Sequence, residues 1–385
     1  MKILICWTHV SGYMAACWRA LAGKPGIELS VLAFSTQETS KSDVIGFNDE
    51  ITRGLNVRLL APDQHHDFDL IASHAASIQP DVVVIAGWAY PAYRRLVAHP
   101  ALSGARFVMT MDTPLRGGWR QYLGRLSKLH GLRDRLDRVF VAGERAFQLA
   151  RYFKVPEAKI RRGLYGFDGG MFDPSLHARR LAQNNGAWPK NFLFIARYVH
   201  QKAMDMLADG YALYRGECEK RGEEAWPLTC CGRGPESVHI AGRPGITDIG
   251  YVQPDGLPDV LLRHGVFVIS SRYEPWGVAV AEAMASGLPV IATLATGAVP
   301  ELVRDYYNGV LVTTEDPASL SRAFTWCHQN HEKLPEMGRR GVELAAPFAA
   351  ENWAMRWAEW MAELIAPSLR TPGRRLAVAT PPPPN

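Results

Sequence analysis

Short runs of consecutive apolar residues alternate along this chain with longer stretches in which apolar residues recur every three or four positions. A continuous apolar run is the mark of a strand covered on both faces, and the longer spacing that of a helix with one apolar stripe. Their alternation predicts parallel sheets with crossover helices. In the first half the predicted strands are Ile3–Trp7, Leu29–Phe34, Val57–Leu60, Val82–Ala86, Phe107–Met111 and Val139–Val141. In the second half they are Phe192–Ala196, Leu228–Cys231, Ile246–Ile249, Val266–Ile269, Val290–Ala292 and Val310–Val312. Each set fits one doubly wound, Rossmann-like sheet. The segment Gly163–Pro174, GLYGFDGGMFDP, is rich in glycine and predicts the hinge between them.

The expected organisation is therefore a first domain over residues 1–165 and a second over 166–348. A helix over 349–366 follows, with Trp353, Trp357, Trp360, Met361 and Leu364 on one face. Such a face either packs on the first domain or lies on a membrane surface. Residues 367–385 end in a proline-rich tail, TPGRRLAVATPPPPN, that is expected to be disordered.

A length of 385 residues exceeds one ordinary core and agrees with two domains. Hydrophobic residues make up 47% and charged residues 21%, which excludes a low-complexity or disordered chain. No apolar run reaches the roughly 18 residues of a membrane-spanning helix. The opening MKILICWTHV has one lysine and a very short apolar run, so it is expected to be the first strand and not a leader. The six cysteines lack metal-type spacing, and Cys6 and Cys230 are expected to be buried thiols of a reducing cytoplasm. Net charge is +5, unevenly placed: residues 1–170 hold 22 Lys and Arg against 15 Asp and Glu, the remainder 21 against 23. An excess of basic residues on the first half suggests a negatively charged partner there.

The most informative chemistry lies in Ser270–Val290, SSRYEPWGVAVAEAMASGLPV. A predicted strand runs into the turn Pro275-Trp276-Gly277, which opens a helix through Val278–Ser286. The helix start offers free N–H groups that favour an anion. Glu274 precedes the turn and Glu282 lies two turns into the helix, so two carboxylates flank whatever binds there. Hydroxyls can donate to the carboxylates while a phosphate sits at the helix start, and a nucleotide sugar carries both groups.

This segment resembles the E-x7-E signature of retaining glycosyltransferases of family 4, matching also at Ala283-Met284-Ala285, Gly287, Pro289 and Val290. The resemblance implies the GT-B fold, two Rossmann-like domains facing a cleft, with a C-terminal helix crossing back to the first domain. It extends to Arg197 and Lys202 in IARYVHQKAMDML, similar to the family's cationic pair on the donor diphosphate, although Ala196 and Ala203 stand where glycines are usual. Two cations at a strand end would stabilise the charge of a leaving diphosphate. The turns at Gly232 and at Gly250-Tyr251-Val252 resemble those that receive the nucleotide, and Gly297–Glu301 resembles a family loop in which Glu301 supports the turn. Implied donor contacts are thus Gly12, Gly232, Tyr251, Val252, Pro275, Trp276, Gly277, Val278 and Glu282, and implied catalytic positions Glu274, Arg197, Lys202 and Asp112.

Four positions leave choices open. The loop Thr8–Gly12 is either a diphosphate-approach loop or a plain strand–helix turn, and His9 within it is expected to hydrogen-bond locally. Asp112 stands where many family members carry a histidine, and either contacts sugar or caps the Pro114 turn. Asp67-Phe68-Asp69 is expected to cap a helix, and no metal or other cofactor is expected. Leu115–Arg138 interleaves Arg116, Arg120, Arg125, Lys128, Arg133, Arg135 and Arg138 with Trp119, Tyr122, Leu123, Leu126 and Leu129. It is either a surface for an anionic membrane or a domain helix with solvated arginines.

The expectation is a metal-independent retaining glycosyltransferase of polysaccharide biosynthesis, moving a hexose from a nucleotide-diphosphate sugar to a glycan or lipid-linked acceptor. It would be cytoplasmic, with a peripheral contact on the inner face of the membrane through residues 115–138. The alternatives are a nucleotide-sugar epimerase on the same fold and a non-catalytic nucleotide-sugar-binding subunit.

Overall fold

The computed structural model describes residues 1–35, 49–127 and 131–366. Lys128, Leu129 and the proline-rich tail lie outside the described residues.

The first domain is a seven-stranded sheet, all parallel, in the order β3-β2-β1-β4-β5-β6-β7. Its strands are β1 (Lys2–His9), β2 (Glu28–Phe34), β3 (Val57–Leu60), β4 (Val82–Ala86), β5 (Arg106–Met111), β6 (Arg138–Val141) and β7 (Ile160–Arg162). Helices α1 (Gly12–Ala22), α2 (Phe68–Ile78), α3 (Pro91–Leu96), α4 (Trp119–Leu126) and α5 (Glu144–Tyr152) run between them. Ile3–Cys6 and Val82–Ile85 are fully buried, because helices cover both faces. Strand β7 was not expected: Ile160-Arg161-Arg162 has one apolar residue in three, and it lies at the sheet edge, where arginines can reach water.

The second sheet has six parallel strands in the order β10-β9-β8-β11-β12-β13. These are β8 (Phe192–Ile195), β9 (Leu228–Cys231), β10 (Ile246–Asp248), β11 (Val266–Ile269), β12 (Val290–Thr293) and β13 (Gly309–Val312). Around them lie α6 (Ser175–Gln183), α7 (Met204–Arg221), α8 (Leu257–Leu262), α9 (Val278–Ala285), α10 (Val299–Leu302), α11 (Pro317–Gln329) and α12 (Leu334–Ala345).

The final helix, α13 (Ala350–Ile365), returns to the first domain and lies against α1. Trp353 and Trp357 are fully buried and stack with centroids 4.2 Å apart. Their indole N–H groups donate to the carbonyls of Leu164 (2.8 Å) and Gly163 (3.1 Å), so each buries its ring with its polar tip satisfied. Trp357 and Trp360 also meet Phe140 of β6 edge-on. The chain crosses between domains twice, and the crossings are paired: Phe167 N–H donates to Phe348 C=O (3.0 Å) and Ala350 N–H to Phe167 C=O (2.9 Å).

In each sheet the strand order reverses at one point, beside β1 and β4 in the first and beside β8 and β11 in the second. Ligands of open parallel sheets bind at the carboxyl ends of strands at such points.

Candidate active site in the interdomain cleft

The carboxyl end of β8 leads through Ala196 and Arg197 to a turn at His200–Lys202, after which α7 begins. Ala203, the hinge of that turn, has φ +56, the left-handed region in which glycine would be unstrained. A short lattice of bonds ties this turn to the carboxyl end of β11. Ser270 Oγ donates to Lys202 C=O (2.9 Å), and the Arg272 guanidinium donates to His200 C=O (3.0 Å). Arg272 is itself held by Asp205 and Glu315, and its hydrogen bond keeps the Asp205 carboxyl down at about 2. Nothing in the spacing of the sequence marked Arg272 as this buttress, since its partners lie 67 residues before it and 43 after.

Beyond β11, Glu274 forms an ion pair with Lys202. Both side chains are largely shielded, at 14% and 17% exposure, so the pair is not an ordinary surface bridge. The turn that follows is pinned: Gly297 N–H donates to Glu274 C=O (2.9 Å) and Ala298 N–H to Trp276 C=O (2.7 Å). Gly277 takes φ +100, which a side chain would strain, and from it α9 starts with its N-terminus open to the cleft.

One cavity of about 400 Å³ gathers these groups. Arg197, Lys202, Glu274 and Glu282 line it from the second domain, Asp112 from the first. Gly232, Tyr251, Val252, Pro275, Trp276, Gly277 and Val278 complete its second-domain wall. Gly12 is not on that wall; it lines an adjoining cavity of about 310 Å³ that shares Tyr13 and Glu282 with the first. Arg197 is exposed and has no ion-pair partner among the described residues. Burial, and secondarily the Asp168 carboxylate, raises the Glu282 carboxyl to about 7, so near neutrality it both accepts and donates. Tyr251 lies under the Arg233 guanidinium, 5.4 Å away.

Asp112 follows the end of β5 and accepts from the Tyr165 hydroxyl (2.9 Å). Burial, reinforced by Asp112, keeps that phenol protonated and so a donor. Asp112, Tyr13 and Tyr165 also border a third cavity, of about 450 Å³, at the reversal point of the first sheet, where His9, Trp88 and Thr110 join them. The His9 ring meets Phe34 edge-on at 6.3 Å, and burial lowers its pKa, helped by His65. Asp67 caps α2, accepting from Leu70 N–H (3.0 Å), and neither it nor Asp69 reaches these cavities.

Glu301 does more than support its own turn. It crosses to the first domain, where it accepts from the Glu144 backbone N–H at the start of α5. Gly143, just before α5, has no side chain and leaves room for both Glu301 and the Trp276 ring. Arg116 lies 3.5 Å above the ring of Tyr273, the residue before Glu274. These contacts bridge the two walls of the cleft.

The chain is similar to several known proteins. Residues 189–330, which hold the whole second sheet, match the family model of the glycosyl transferases group 1. The chain is 35% identical to mannosylfructose-phosphate synthase of Agrobacterium fabrum over 144 residues, 34% of this chain and 32% of that protein. It is 32% identical to D-inositol 3-phosphate glycosyltransferase of Streptomyces coelicolor over 178 residues, 43% of this chain and 39% of that one. It thus spans about a third of the length of these relatives. In three dimensions it resembles Anabaena HepE in complex with UDP (TM-score 0.70, 16% identity, 94% of this chain and 100% of that one). It also resembles sucrose-phosphate synthase of Thermosynechococcus elongatus (TM-score 0.70, 17% identity, 95% and 99%). The architecture, two parallel-sheet Rossmann-like domains about a cleft, is the GT-B fold.

Proposed function

We propose that this chain transfers a sugar, with retention at the anomeric carbon, from a nucleotide-diphosphate sugar to a glycan or lipid-linked acceptor. The observation that carries the reading is the convergence of Arg197, Lys202, Glu274, Glu282 and Asp112 on one cavity. UDP-sugars are the donors to try first, because HepE holds UDP and UDP-glucose in the same fold.

In this reading the second domain binds the donor. Arg197 and Lys202, with the start of α9, offset the charge that grows on the diphosphate as the glycosidic bond breaks. That positive field comes from the chain's own groups, and a divalent metal is not required for it. Glu274 accepts from hydroxyls of the transferred sugar, and its pairing with Lys202 holds a carboxylate and a cation side by side in that cavity. Glu282 lies deeper and meets the nucleotide. Asp112, from the first domain, faces the same space and orients a hydroxyl of the sugar or the acceptor. The leaving phosphate takes the acceptor proton on the face it vacates, which preserves configuration.

The decisive assay is sugar transfer from UDP-, GDP- and ADP-sugars, with calorimetry of the nucleoside diphosphates. Glu274→Gln should lower turnover on the order of a hundredfold, about 2–4 kcal/mol of transition-state stabilisation, while diphosphate affinity changes by only a few fold. Activity should persist in EDTA. Near-wild-type turnover in the variant would remove Glu274 from the reaction, and loss in EDTA restored by Mn²⁺ or Mg²⁺ would reverse the metal-independent reading.

A further inference from the structure

Helix α4 is turned inside out. Trp119, Tyr122, Leu123 and Leu126 fall at i, i+3, i+4 and i+7, the spacing of a single apolar face. In a globular domain that face meets the core. Here it meets solvent, with exposures of 68%, 54%, 51% and 61%, and Leu115 just before the helix is 39% exposed. Five of the fourteen exposed large hydrophobic residues among the described residues therefore lie within 115–126, which makes this a patch and not scatter. The side of α4 turned to the protein carries Gly124, which is buried against the Phe153 ring. The helix is seated by a glycine so that its apolar face stays outward.

We propose that Leu115–Leu126 docks on an anionic lipid bilayer. Charge is the first argument. Arg116, Arg120 and Arg125 flank the apolar face, and none has an ion-pair partner among the described residues. Their guanidinium groups lie instead over aromatic rings, Arg116 on Tyr273, Arg120 on Trp119 and Arg125 on Tyr152. An apolar stripe containing Trp and Tyr, bordered by unpaired arginines, suits an interface in which rings enter the headgroup layer and cations meet lipid phosphates. The basic excess of the chain also lies in this half, 22 Lys and Arg against 15 Asp and Glu over residues 1–170. A protein partner would cover the stripe but leave the arginines needing acids of its own.

Position is the second argument, and it rests on the proposed sugar transfer. Phe153, on which Gly124 sits, meets the ring of Trp88 edge-on at 5.5 Å. Trp88 lines the cavity of about 450 Å³ that Asp112 and Tyr165 share with the donor cavity. A bilayer under α4 would thus lie beside the opening on the first-domain side, where an acceptor carried in that bilayer could enter.

The test is flotation of the full chain with vesicles of phosphatidylcholine, with and without a minor fraction of phosphatidylglycerol. The wild type should float with the anionic vesicles at low salt, progressively less as salt rises, and poorly with the neutral ones. Trp119→Glu with Leu123→Glu, and separately Arg120→Glu with Arg125→Glu, should each lower the bound fraction about tenfold or more. Arg120→Lys with Arg125→Lys should keep it. All variants should keep the thermal transition and UDP affinity of the wild type. Wild-type protein that stays in the soluble fraction, variants that float as well as wild type, or binding confined to a soluble acidic polysaccharide would each overturn the proposal. Transfer to a water-soluble acceptor, measured alongside, separates the two claims: flotation without transfer refutes only the activity, and transfer without flotation refutes only the docking.

Discussion

At the scale of single residues, Glu282 has the clearest measurable consequence. Its carboxyl titrates at about 7 in the folded chain, raised by burial first and by Asp168 second, against 4.5 for an ordinary glutamate. Between those values the folded chain holds a proton that the unfolded chain has lost. Stability from this group is therefore greatest below about pH 4.5 and falls as pH rises through 7. Glu282→Gln cannot ionise and removes that slope. Urea midpoints at about pH 5 and about pH 8 should differ less for the variant than for the wild type, the gain at the higher pH being on the order of 2 kcal/mol. Parallel behaviour of the two proteins would show that Glu282 is better solvated than its place in the cleft wall implies.

At the scale of elements, what the sequence made legible follows from how local each signal is. Strands β4 and β11 are unbroken apolar runs and β1 holds one over Ile3–Trp7, because both faces are covered, so their positions could be read within a residue or two. The α9 segment was legible because Glu274, Gly277 and Glu282 are neighbours in the chain. Edge strand β7 was not, since two of its three residues are arginines. The outward face of α4 was left open for a related reason: an apolar stripe shows that a helix has one face, not which way the face points. Arg180 on α6 gave no sign at all. It is fully buried, without an acidic partner among the described residues, and donates to the carbonyls of Ser286 (3.0 Å), Gly287 (3.3 Å) and Leu261 (3.0 Å), with Trp188 beneath it. Two of those carbonyls close the C-terminus of α9, where the helix dipole favours a cation. Arg180 thus fastens the far end of the helix whose near end faces the donor cavity. Arg180→Leu leaves buried carbonyls unpaired and should lower stability by about 3 kcal/mol, seen as a lower urea midpoint at unchanged m. A midpoint equal to the wild type would mean that water satisfies those carbonyls.

At the scale of the whole molecule, the two domains are joined on one side by the paired crossings at Phe167 and Phe348–Ala350 and on the other by a few contacts across the cleft. Such sparse interfaces are where relative domain motion is set. Among these contacts, Glu301 is the one whose removal is most selective. Its carboxylate accepts from the first N–H of α5, a helix start that favours negative charge, and burial raises its pKa. It does not line the donor cavity, whose nucleotide-facing wall belongs to the second domain. Glu301→Ala should therefore loosen closure without unmaking the donor site. The expected result is a larger radius of gyration by small-angle scattering and a kcat/KM lower by about tenfold, near 1.4 kcal/mol and in the range of one charge-assisted hydrogen bond. Nucleoside diphosphate affinity should change by less than about threefold, because the groups proposed to hold it stay in place. Unchanged scattering and kinetics would show that Arg116, Tyr273 and Trp276 hold the cleft without Glu301. A loss of nucleotide affinity as large as the loss of kcat/KM would instead make the loop at Gly297–Glu301 part of the donor site.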